Sequence, residues 1–341
     1  MEIILRKEYS KFVNYWLISL LSLIGVIVIV GGLTRLTDSG LSITTWDIFQ
    51  GILPPLTNNQ WEEVFSLYKK IPQYFLLNEN MTMSEFKVIY YWEYIHRILG
   101  RLLGLLFFIP FIYIYFKNIL SKKYNQNLFF LFLLILLQGA VGWYMVKSGL
   151  VDKVDVSHFR LSIHLLLAFF ILSLIYWNYL KINGIKKIHK NINPIIPFMF
   201  LVLIFAQIAI GAFVSGMDAG KIYNSWPLMG ETYFPNDNNL YNLFEISVFS
   251  DPSLVQFIHR NLAYLIGIIY LLIFYKIYKD KFNGLYKAIN ILGFFIILQI
   301  ILGVITIING AQIYIASMHQ ISSIFLISSC VYFLYINTKS N

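Results

Sequence analysis

The sequence predicts an all-α, polytopic membrane protein: eight transmembrane helices forming two pseudo-symmetric antiparallel four-helix bundles in a parallel tandem repeat. Composition points there first, because 58% of the 341 residues are apolar and only 13% charged, a balance typical of membrane-embedded chains. Apolar windows of about 20 residues, long enough to cross a bilayer core, then fall at 15–34, 93–116, 127–147, 160–180, 194–215, 256–278, 288–308 and 315–336. Finally, motifs in the first four windows recur in the same order in the last four.

The first window follows a short stretch that mixes Arg6, Lys7 and Lys11 with Glu2 and Glu8. Its apolar run exceeds a cleaved signal core, so it reads as a retained first helix, and the acids argue against a mitochondrial transit peptide. A bacterial inner membrane is the expected location. The basic groups Arg6-Lys7, Lys122-Lys123, Lys186-Lys187 and Lys279 with Lys281 all fall on the N-terminal side, against Glu2, Glu8 and Asp280 as acids. Both termini are therefore expected in the cytoplasm. Topology accounts for the net charge of +9, so the partner is the lipid bilayer and no nucleic acid is expected. Cys330 is the only cysteine, which excludes an intramolecular disulfide and an iron–sulfur cluster held by this chain alone.

The repeat is read from matched landmarks. Helix 1 leaves through Gly31-Gly32-Leu33-Thr34-Arg35 to Gly40 and Trp46, and helix 5 through Ser215-Gly216 to Gly220 and Trp226, at a constant offset of 180 residues. Helices 2 and 6 match at His96 and His259. Helices 3 and 7 match at Gln138 with Gly142 against Gln299 with Gly303, and helices 4 and 8 at Ser162-Ile163-His164 against Ser317-Met318-His319. An even number of spans per unit makes both units cross in the same sense. Residues 1–190 and 191–341 are the expected domains. The first outer loop is the longer: 50 residues separate Trp46 from His96 and 33 separate Trp226 from His259, 17 more in the first half. In that loop, 47–90, the segment Trp61–Tyr68 predicts a short amphipathic helix, and Met83-Ser84-Glu85-Phe86 suits the start of another. The loop is either a cover for a site or a solvated connection.

Six histidines are present: His96, His158, His164, His189, His259 and His319. His189 falls in a basic inner loop, and His158 lacks a counterpart in the repeat, which makes it a surface or supporting residue. The other four lie near the outer ends of helices that share one direction, so each bundle would oppose two imidazoles near the outer surface, as ligation of an iron porphyrin from both sides requires. Gly100 and Gly104 follow His96 on its own face, as Ala263 and Gly267 follow His259. Small residues there admit a macrocycle or a close helix. Arg97 and Arg260, adjacent to two of the ligands, suit porphyrin propionates or an interfacial position. Glu93 precedes His96 by three residues, where the second half has Gln256. Gln cannot exchange a proton or balance positive charge, so the first half should host chemistry and the second a permanent redox haem. Glu93 paired with Arg97 or Arg101 is the structural alternative.

Glu93-Tyr94-Ile95-His96-Arg97, His259-Arg260, His164, His319 and the Gly-Leu-Thr-Arg exit of helix 1 together resemble the heme A synthase family across nearly the whole chain. The resemblance implies oxidation of the C8 methyl group of haem O to a formyl group, giving haem A for cytochrome oxidase. It implies haem O on His96 and His164, a haem b cofactor on iron ligands His259 and His319, and catalysis by Glu93. It also implies proximity to a heme O synthase and an electron-transfer partner. Some members carry a cysteine pair in the first outer loop; this chain has none, so it resembles the cysteine-free members. The competing reading is a diheme electron carrier of the cytochrome b561 kind, which would place metals near both membrane faces; a permease without cofactor is suggested only by the duplication.

Overall fold

The computed structural model describes residues 5–45, 50–150, 154–188 and 192–338; Glu2, Trp46, His189 and Lys190 lie outside the described residues. Eight of its helices are long and apolar enough to cross a membrane. They are α1 (Ser10–Leu36), α4 (Met83–Phe116), α5 (Lys122–Gly149), α6 (His158–Ile182), α7 (Ile195–Gly216), α8 (Pro252–Lys279), α9 (Tyr286–Ile308) and α10 (Ile313–Asn337). Two short helices, α2 (Asn58–Tyr68) and α3 (Pro72–Leu77), fall in the first outer loop.

Local chemistry fixes the ends. α1 and α7 both stop just before an aspartate in the left-handed region, Asp38 (φ 50) and Asp218 (φ 52), a conformation that Asp tolerates better than most residues. α8 opens with Pro252 in its first turn, and the Asp251 carboxylate caps it by accepting from the Leu254 N–H at 2.9 Å. α4 begins earlier than its apolar window. Thr82 and Glu85 form a reciprocal capping box, and no Gly or Pro follows before Gly100, so Met83 starts the membrane helix itself and not a separate one. The expected helix at Trp61–Tyr68 is present as α2, capped by Thr57 and Gln60.

Neighbour relations place the helices. α1 packs on α4, α4 on α5, α5 on α6, and α6 back on α1; α7, α8, α9 and α10 close a second ring in the same way. The rings meet where α1 and α6 touch α7 and α10. One apolar core runs through each ring, around Leu20, Phe107 and Ile175 in the first and around Phe200, Leu292 and Phe333 in the second. Lipid tails are as apolar as these side chains, so association rests on close packing and interhelical hydrogen bonds. The α1–α10 seam shows both: Gly32 leaves room for the Gln320 amide, whose Nε2 donates to the Val28 carbonyl at 2.8 Å.

At one end of that seam Arg35 is buried among three carboxylates. Its Nη1 lies 2.7 Å from Asp38 and 3.6 Å from Asp155, and its Nη2 lies 3.4 Å from Asp218. One guanidinium thus ties the ends of α1 and α7 to the turn before α6. Burial pushes the Asp155 carboxyl above its ordinary range, against the pull of Arg35. Beside this end α2 packs Trp61, Phe65 and Tyr68 onto Phe86, Ile89 and Tyr90 of α4. The extra residues of the first outer loop therefore form a small apolar core of their own.

Candidate functional site

His96 of α4 and His164 of α6 face each other inside the first ring, with imidazole centres 6.4 Å apart and planes at 67°. His259 of α8 and His319 of α10 do the same inside the second, at 6.5 Å and 79°. Opposite helices of a four-membered ring are the ones whose inward faces meet, so a histidine on each brings the pair together.

Each imidazole lies against a glycine of the preceding membrane helix. A Cβ added at Gly31, Gly142, Gly211 or Gly303 would come within 2.8, 2.9, 3.1 and 3.1 Å of Cε1 of His96, His164, His259 and His319 respectively. These glycines sit within about two turns of the C-terminal ends of α1, α5, α7 and α9. Those four helices share one direction, so both histidine pairs occupy the same end of the molecule.

Glutamines complete three of the four settings. Gln138, Gln207 and Gln299 each donate Nε2 to the backbone carbonyl of a histidine, His164, His259 and His319, at 3.0 Å. The same nitrogen lies 3.2 to 3.3 Å from a ring nitrogen of that histidine. Each glutamine precedes its glycine by four residues, placing both on one helix face.

Glu93 is buried and fully engaged. Its Oε2 accepts from Ser42 Oγ at 2.7 Å and the Ile43 N–H at 2.8 Å, and its Oε1 accepts from Arg97 Nε and Nη2 at 3.1 and 2.5 Å. Arg97 also donates to the Ile43 and Thr45 carbonyls. The second half repeats this pattern 180 residues later: Arg260 donates to the Tyr223 and Ser225 carbonyls at 2.9 Å, and Gln256 Nε2 donates to the Tyr223 carbonyl at 3.0 Å. What differs is the carboxylate itself. His158 stands apart, with Gly216 and Phe213 of α7 beside it.

Two imidazole nitrogens about 2 Å from one metal ion bring their ring centres to roughly 6 Å, which both pairs match. Buried Nδ1 atoms of His96, His164 and His319 have no protein hydrogen-bond partner, and a Cβ at Gly100 or Gly104, below His96, would meet nothing within 4 Å. Paired imidazoles with open space beneath them fit an iron porphyrin held from both faces.

A sequence profile described as Cytochrome oxidase assembly protein matches residues 14–331. The chain belongs to the cytochrome oxidase assembly protein family. Relatives of this family member include the Heme A synthase of Pelagibacter ubique, 48% identical over 336 residues and covering 98% of both chains. The Heme A synthase of Rickettsia bellii is 42% identical over 328 residues, covering 95% of this chain and 97% of the relative. That of Flavobacterium johnsoniae is 37% identical over 343 residues, covering 96% and 98%.

In this family member the histidines, Glu93, Arg97 and Arg260 were legible from sequence, as were two of the glutamine–glycine pairs. Missing from that reading were Gln207 with Gly211, the contact of Gly31 with His96, and the partners Ser42 and Ile43. A scan for Gln-x-x-x-Gly ahead of each histidine helix finds Gln207–Gly211 at once.

Proposed function

We propose that this chain is a heme A synthase that converts haem O to haem A by oxidising the C8 methyl group to a formyl group. The observation that carries this reading is the repetition of one opposed histidine pair in two settings that differ by a carboxylate. In this reading residues 1–190 form the catalytic half, in which His96 and His164 hold the substrate haem O. Residues 191–341 form the cofactor half, in which His259 and His319 hold haem b. A bound haem b supplies one-electron redox chemistry.

Converting –CH3 to –CHO removes four electrons and four protons from the methyl group and one water. Two oxidations, through an alcohol and a gem-diol that loses water, reach the aldehyde. Glu93 acts at the substrate half by taking up a proton or balancing positive charge as the methyl carbon is oxidised, which requires it to release one of its present hydrogen bonds. Arg97 and Arg260 stand next to iron ligands and suit the propionates; their N–H groups bond loop carbonyls, so that role requires an exchange of partners on haem binding. The chain is placed in a bacterial inner membrane with both termini cytoplasmic and the histidine pairs toward the outer face. Heme O synthase is the source of substrate, and a separate electron-transfer protein accepts the electrons.

A diheme electron carrier would need metals near both faces, and placement of both pairs at one end of the bundle favours the enzyme. Co-expression with a haem O source, followed by pigment extraction and chromatography, tests the assignment. A haem A peak is expected; haem O alone would overturn it. The glycine contacts give a second check. Gly211→Ala places a methyl group about 3 Å from the His259 ring, so the purified variant is expected to lose its b-type absorbance, whereas Gly25→Ala, whose Cβ would meet nothing within 4 Å, should retain it.

A further inference from the structure

The repeat is broken at a second place besides Glu93. Gln207 lies four residues before Gly211, and the residue four before Gly31, 180 positions earlier, is Ile27. Three histidines therefore have a glutamine amide against their backbone carbonyl and ring. His96 has the Ile27 main chain beside its imidazole instead. Among the described residues no side-chain amide bonds it. Both departures from symmetry, Ile27 and Glu93, fall on the same ligand's surroundings.

Resting on the proposed function, we propose that Gln138, Gln207 and Gln299 are positioning residues that hold three imidazoles as fixed ligands, and that Ile27 leaves His96 as the ligand that lets go. A ring clamped between a glycine surface and an amide has already lost its rotational freedom, so ligation costs it little further entropy. Partners of this kind typically change metal affinity by about 10- to 100-fold. An Ile side chain offers neither donor nor acceptor, so His96 is held by packing alone. The difference matches the traffic each half must carry. Haem O has to enter and haem A has to leave at every turnover, breaking at least one axial bond, whereas the cofactor stays. Gln138 fixes His164 in the same half, so release is assigned to one side of the substrate haem.

Haem transfer to excess apomyoglobin tests this in full-length protein loaded with haem b. His259→Ala confines binding to the first pair, and His96→Ala to reporting on the second half. The first pair is expected to release haem about 10- to 100-fold faster. Adding Ile27→Gln should slow its release by a similar factor, and Gln207→Leu should accelerate release from an otherwise intact second pair, with low-spin absorbance lost in parallel. Should Ile27→Gln fail to fold, Gln299→Leu replaces it, with faster release expected from the second pair. Equal release from the two pairs, or rates unmoved by the glutamine and isoleucine exchanges, would overturn the assignment. Failure of either pair to bind haem at all would instead remove the proposed function.

Discussion

Glu93→Ala is expected to abolish haem A formation while the second-half haem stays bound. General acid–base groups contribute about 10²- to 10⁴-fold to rate, so the product should fall below detection in extracted pigments while the b-type spectrum persists. The structure makes this a demanding test, because Glu93 also organises its surroundings. It accepts from Ser42, the Ile43 N–H and Arg97, and truncation leaves a buried guanidinium short of its carboxylate, a change that is destabilising in its own right. Persistence of haem on His259 and His319 separates the two effects. Normal haem A in the variant would remove Glu93 from the reaction, and loss of all haem would show that its role is structural.

The second large effect concerns the iron ligands. His259→Ala or His319→Ala should deplete the b-type spectrum of the purified protein far more than His96→Ala does. A metal gripped from both sides loses half its axial ligation with either partner, and the two members of a pair should therefore behave alike. Equal depletion by His96→Ala, His259→Ala and His319→Ala would contradict a division between substrate and cofactor halves. The comparison is internally controlled, because each histidine sits against a glycine in the same way, so truncation opens a similar cavity in every case.

Much of this was legible in the sequence because membrane helices are written in long apolar words. All eight windows fall within the helices or within a few residues of their ends, and matched landmarks brought four histidines to one level. α4 escaped in part: its first three turns combine Lys87 and Glu85 with Tyr90 and Trp92, a mixed face that composition assigns to a loop, while the Thr82–Glu85 box and packing against Trp61 make it helix. Gln207 and Gly211 escaped because a lone amide in an apolar run looks like noise until its contact with His259 shows what it touches. Arg35 was seen as part of an exit motif, but its three acidic partners come from segments more than 100 residues apart, a relation no local pattern contains. The engagement of Glu93 by Ser42 and Ile43 was likewise hidden, since the loop that supplies them returns to α4 only in three dimensions.

A chain doubled in the same orientation keeps both of its mouths on one shore. Because the histidine pairs share an end of the bundle, whatever delivers pigment to one and whatever draws electrons from the other must work from a single compartment, and the opposite surface, carrying most of the lysines, is left free of that traffic. Inverted duplications open toward both sides and suit carriers that shuttle cargo across; this arrangement suits a workshop with one door.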